Sequence, residues 1–178
     1  MGSKIVGTGI SIPEHVVTND DMSRIMDTSD EWIATRSGVR QRHFAMPGVG
    51  ASDLAAEAGL AAVADAGLQP ADIDLLVTAT MTPDSLAPGI SALTQAKMEL
   101  PSIPAYDIRQ QCSGFLYGMD LADAMLASGR ARNALVIGAE THAGFLPFGS
   151  SWDTLIDPAK PTASAEEFER LSQYRGWA

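Results

Sequence analysis

Short apolar runs alternate with longer segments of helical spacing along this chain. Residues 4–12 (KIVGTGISI) read as a strand. Thr28, followed three residues later by Glu31, forms a capping-box pattern that predicts a helix from Thr28 to about Arg36. Gly38 ends it, and residues 39–44 (VRQRHF) read as a short strand. Ser52 or Asp53 opens an Ala-rich helix reaching Ala66, with Gly67 placed to close it. Residues 74–80 (DLLVTAT) read as a buried strand, and Pro88 suits the first turn of a helix running to about Leu100. A short strand over 103–108, a helix over 113–128 closed by Gly129, and a buried strand over 133–140 (NALVIGAE) follow.

Strands that are almost continuously apolar and separated by helices predict an α/β fold. Its sheet is largely parallel and carries helices on both faces. Gly7 and Gly9 follow the first strand, but Ile12 and Pro13 stand where the next small residue is needed. The dinucleotide-binding fingerprint is therefore incomplete. Residues 150–164 contain Pro, Ser and Asp without periodicity, and 165–174 suit a short amphipathic helix with Phe168 and Leu171 on one face. The predicted organisation is a domain over 1–149 and an inserted or connecting segment over 150–178.

Composition narrows the function. Hydrophobic residues make up 46 %, enough for a packed core. The absence of any run of 18 apolar residues argues against a membrane span, and the opening MGSKIVGTGIS does not read as a signal peptide. A cytoplasmic setting with no membrane partner is the expectation. The net charge of −10, from 12 basic and 22 acidic residues, opposes non-specific nucleic-acid binding. Arg36, Arg40 and Arg42 form the densest basic stretch, a landing site for an acidic partner or a solvated face. A single cysteine rules out an internal disulfide framework and a cysteine-rich metal site, and no metal is expected.

That cysteine, Cys112, falls between a predicted strand and a long predicted helix. The free N–H groups of a helix's first turn favour a thiolate over a thiol, which suits a nucleophile for thioesters. Gly114 removes a side chain beside the sulfur. The same placement suits a buried cysteine with Gly114 serving helix–strand packing, and the residues alone leave both readings open.

Three stretches carry a resemblance: GTGISIPEHVVTNDDM with DTSDEWIATRSGVRQRH, then PAYDIRQQCSGFLYG, then ALVIGAET. With these, residues 4–143 resemble β-ketoacyl-acyl-carrier-protein synthase III, a thiolase-fold condensing enzyme, in its amino-terminal half. Gln110 and Gln111 depart from the small residues usual there.

The resemblance implies that Cys112 takes an acyl group from an acyl-CoA, with its own backbone N–H as one oxyanion donor. Decarboxylative condensation with malonyl-acyl-carrier-protein, in fatty acid biosynthesis, then follows. It implies that Thr28, Trp32 and Arg36 line the coenzyme A entrance, the thioester being a substrate and not a resident cofactor. It places Ala87 in a loop that reaches the partner's acyl pocket across a homodimer, and a small residue there leaves room for longer acyl chains. It also implies that a catalytic His and Asn come from a carboxyl-terminal half, in no motif carried by His15, His43 or His142. The stretch HAGFLPFGSSWDTLIDPAKP lacks a basic residue that commonly helps clasp the coenzyme. Two alternatives stay open: a related condensing enzyme or acyltransferase of secondary metabolism, and a non-catalytic binding or assembly half.

Overall fold

The computed structural model describes residues 2–177, which form two compact units. One unit joins the residues up to Ile12 with Pro47–Thr141; the other joins Pro13–Met46 with the residues from His142 onward.

The first unit is built on three parallel strands. The central one, β3 (Leu75–Ala79), is buried at every position. It pairs with β4 (Ala105–Ile108) on one side and β5 (Ala134–Gly138) on the other, with Val77 opposite Tyr106 and Val136. The side-chain period of two divides the core. Leu76, Leu135 and Ile137 pack with residues of α3 (Ala51–Asp65) and α4 (Ile90–Lys97), whereas Leu75 and Val77 pack with Ala122 of α5 (Gly114–Ala127). Helices therefore cover both faces of a parallel sheet, as the apolar runs predict.

Carboxylates from neighbouring elements hold the helix starts. Asp84 accepts Ser52 N at 3.1 Å, beginning α3. Asp107 of β4 accepts Ile90 N at 2.9 Å and Ser91 N at 3.0 Å, beginning α4. Both place negative charge where unpaired amides converge. Helix α4 thus starts two residues after Pro88, whose neighbour Gly89 stands at φ 93° beneath the Asp107 carboxylate.

Residues 4–12 enter no ladder, which corrects the strand expected there. One of the segment's backbone donors goes to a side chain instead, Thr8 N to Asp65 at 2.8 Å, and just ahead of the segment Ser3 N donates to Asp123 at 3.0 Å. Gly7 and Gly9 lie so close to α3 that a Cβ on either would overlap the carbonyls of Ala62 and Ala58. Val6, Ile10 and Ile12 stay exposed.

In the second unit, β1 (His15–Thr18) pairs antiparallel with β2 (Gln41–Phe44). Strand β1 and the short α1 (Asn19–Ser23) escaped the sequence reading. Buried Asn19 donates to Asp30 at 2.8 Å and to the Val39 carbonyl at 2.9 Å, and accepts from Arg42 at 2.8 Å. It thereby ties both ends of α2 (Asp30–Ser37) to β2. The aperiodic stretch after 150 contains α6 (Trp152–Ile156), followed by α7 (Ala165–Ser172). Leu155 and Leu171 from these helices complete a cluster with Val17, Met22, Ile25, Met26 and Ile33.

Substituting Gly9→Val tests the contact with α3. The overlap with the Ala58 carbonyl involves backbone that cannot rotate away. A loss of about 2 kcal/mol or more in urea unfolding is expected. An unchanged midpoint would show that residues 4–12 do not sit against α3.

Candidate functional site

Cys112 lies in a single 3-10 turn, Gln111–Ser113, between β4 and α5. It is exposed and stands just ahead of a helix that no side chain caps. The turn is conformationally unusual. Gln111 has φ 41°, a left-handed value rare for a residue with a Cβ, and Gln110 lies at φ −140°, ψ 47°. Gln110 and Gln111 are thus the residues that turn the chain into the cysteine.

Gly114 serves packing. A Cβ there would sit 3.2 Å from the Cβ of Ala79, at the end of β3. Gly118, one turn on, meets Val136 and Val77 in the same way. These glycines let α5 lie close on the sheet, which fixes where the turn carrying Cys112 begins. A cleft of about 610 Å³, lined by Gly2–Lys4, Ala66, Ala127 and Leu135 among others, opens at the far end of α5, roughly 20 Å along the helix from Cys112.

The second unit holds Thr28, Trp32 and Arg36. Helix α2 begins at Asp30, and its cap is Ser29, whose Oγ accepts Trp32 N at 3.1 Å. The capping box built on Thr28 and Glu31 is therefore corrected by one residue. Thr28 precedes the helix, with its hydroxyl buried and without a partner among the described residues. Trp32 and Arg36 do share a helix face: the guanidinium lies 4.5 Å from the indole centroid, within cation–π range. Trp32 is half-buried against the cluster beneath α2.

A second guanidinium escaped the sequence reading. Arg175, after α7, stands 5.1 Å from the same ring centroid and 3.6 Å from Asp27. No local pattern marks it, because it lies far along the chain from Trp32.

Arg42 leaves the basic stretch. It is half-buried and donates to Asn19 and to the Val17 carbonyl; desolvation lowers its pKa despite the opposing pull of Asp21. Arg36 and Arg40 remain exposed. Ala87 sits on an exposed loop of the first unit beside Leu86, which is 83 % exposed. His15 and His43 contact the backbone carbonyls of Leu155 and Pro13.

Comparison with known proteins bears on the cysteine turn directly. The family described as 3-oxoacyl-[acyl-carrier-protein (ACP)] synthase III matches residues 106–152. A β-ketoacyl-[acyl-carrier-protein] synthase III from Aquifex aeolicus is 44 % identical over 140 residues, covering 79 % of this chain and 45 % of the relative. A crystal structure of 3-oxoacyl-[acyl-carrier-protein] synthase III from Aquifex aeolicus superposes with TM-score 0.77 at 43 % identity, covering 80 % of this chain and 46 % of the other. The priming β-ketosynthase of the R1128 polyketide pathway gives TM-score 0.75 at 30 % identity, covering 78 % and 41 %. The fold is thus of the α/β thiolase-like condensing-enzyme type, and the chain spans less than half the length of these proteins.

Two substitutions separate the cap from its neighbour. Ser29→Ala is expected to cost about 1 kcal/mol. Thr28→Val, which removes a buried hydroxyl with no partner among the described residues, is expected to be neutral or stabilising. Thermal unfolding of both variants checks this; the reverse ranking would return the cap to Thr28.

Proposed function

We propose, from a resemblance to β-ketoacyl-acyl-carrier-protein synthase III that covers about four-fifths of the chain, that this polypeptide supplies the acyl-accepting part of such an enzyme. The observation that carries the reading is an exposed Cys112 at the start of α5, inside the family-matched residues. The thiolate attacks an acyl-CoA thioester, coenzyme A leaves as its thiol, and the acyl group remains on sulfur. In the complete reaction malonyl-acyl-carrier-protein loses CO2, and the carbanion attacks the acyl-cysteine. This gives a 3-oxoacyl-acyl-carrier-protein and frees the thiol, a step of fatty acid biosynthesis.

Trp32 and Arg36 are the coenzyme-binding residues in this reading, with an indole face for the base and a guanidinium for phosphate. Thr28 has a weaker place beside them. Ala87 belongs to the acyl pocket across a homodimer. Condensation draws on a His and an Asn from a carboxyl-terminal half. The reading carries a cytoplasmic setting with it. No helix among the described residues is long and apolar enough to cross a membrane. The 30 % identity to a polyketide priming ketosynthase supports a second reading, a condensing enzyme outside fatty acid synthesis.

Incubation of the 178-residue chain with acyl-CoA and intact mass analysis tests the first step. One acyl adduct is expected, absent from Cys112→Ser. Trp32→Ala is expected to raise the half-saturating acyl-CoA concentration about tenfold while leaving the limiting acylation rate within twofold. A chain that folds but takes no adduct would count against the nucleophile assignment. Decarboxylation of malonyl-carrier-protein after the carboxyl-terminal half is added, with the product's fate followed, separates fatty acid from polyketide use.

A further inference from the structure

The turn carrying Cys112 needs an external restraint, and the structure contains one. The ladder between β3 and β4 ends where Thr80 N donates to the Ile108 carbonyl at 3.1 Å. Beyond it, residues 109–113 carry the left-handed Gln111, a conformation that persists only when surroundings enforce it. Among the described residues, one side chain of this stretch is hydrogen-bonded to another element: Arg109 Nη2 donates to the Met81 carbonyl at 3.4 Å.

Met81 is itself held from a third strand. Glu140, just past β5, accepts Met81 N at 2.9 Å through Oε1, and the hydroxyls of Thr82 at 2.6 Å and Thr80 at 3.2 Å through Oε2. Thr82 Oγ1 accepts Thr141 N at 2.8 Å, and Thr80 Oγ1 accepts Thr82 N at 3.0 Å. Both threonines are buried. Three donors converge on one carboxylate, and charge-assisted bonds of this kind are stronger than neutral ones. The ends of β3, β4 and β5 are thereby joined in one polar chain that finishes at the nucleophile turn.

We infer that Glu140 and Arg109 are positioning residues for Cys112, acting through the Met81 peptide units to hold the 109–113 turn in its acyl-accepting geometry. This rests on the reading of Cys112 as nucleophile. Among the described residues neither is hydrogen-bonded to Cys112; both act through Met81 on the backbone that leads into it. Arg109 is exposed, so its removal spares the core, whereas Glu140→Gln keeps the shape and removes the charge.

The test uses the 178-residue chain with Arg109→Ala, Glu140→Gln, Arg109→Lys and the double variant Arg109→Ala/Glu140→Gln. Amide hydrogen exchange over 109–113, thermal unfolding and the acyl-CoA adduct rate are read on each. Exchange across the turn is expected to rise at least fivefold in Arg109→Ala and Glu140→Gln. The limiting acylation rate should fall about tenfold, with the half-saturating acyl-CoA concentration within twofold. Arg109→Lys, which keeps a donor on a long stem, should recover part of the rate. The double variant should be little worse than the worse single one, because both losses act through one link. Unchanged exchange in Arg109→Ala, or acylation losses that multiply in the double variant, overturns the inference. If Glu140→Gln does not fold, Arg109→Ala decides. If the parent chain takes no acyl group, the nucleophile reading fails on its own and the exchange measurements still decide this one.

Discussion

Parallel pairing of β3 with both neighbours is the constraint on which the first unit depends. It makes β3, β4 and β5 end at one edge of the sheet. The polar network of that unit gathers there: Thr80 and Thr82 after β3, the cysteine turn after β4, and Glu140 after β5. Parallel sheets place their loops for chemistry at the carboxyl ends of strands, and here Glu140 ties the end of β5 to that of β3 while Arg109 links the end of β4 to the same Met81. The fully buried central strand leaves that edge little freedom to shift.

The second unit depends on a buried polar side chain. Asn19 uses both amide hydrogens and its carbonyl oxygen, and so ties the entry and exit of α2 to β2. That places the face bearing Trp32 and Arg36, although none of the three partners of Asn19 is a site residue. The arginine that completes the arrangement, Arg42, looked like part of a basic surface when only neighbours in sequence were visible.

Apolar periodicity placed the three parallel strands and α3 to within a residue or two, because burial on both faces writes a continuous signal. The glycines at the ends of α3 and α5 were equally legible. What pairing decides was not legible. Residues 4–12 have strand composition, but a ladder needs a neighbour, and the segment is laid on a helix instead. Strand β1 has four residues of mixed pattern and draws its identity from β2. The place of Cys112 between a strand and a long helix, and the shared helix face of Trp32 and Arg36, were readable from local spacing. Arg175 and Glu140 were not, since each acts on residues far from it in the chain.

The lack of a ladder along residues 4–12 has a consequence for how the molecule behaves in company. Strand β5 ends the sheet on one side, and the segment's Val6, Ile10 and Ile12 stand bare. An edge strand keeps unpaired amides and carbonyls, and an apolar ribbon outside any ladder keeps its own as well, so both are open to pairing with extended polypeptide.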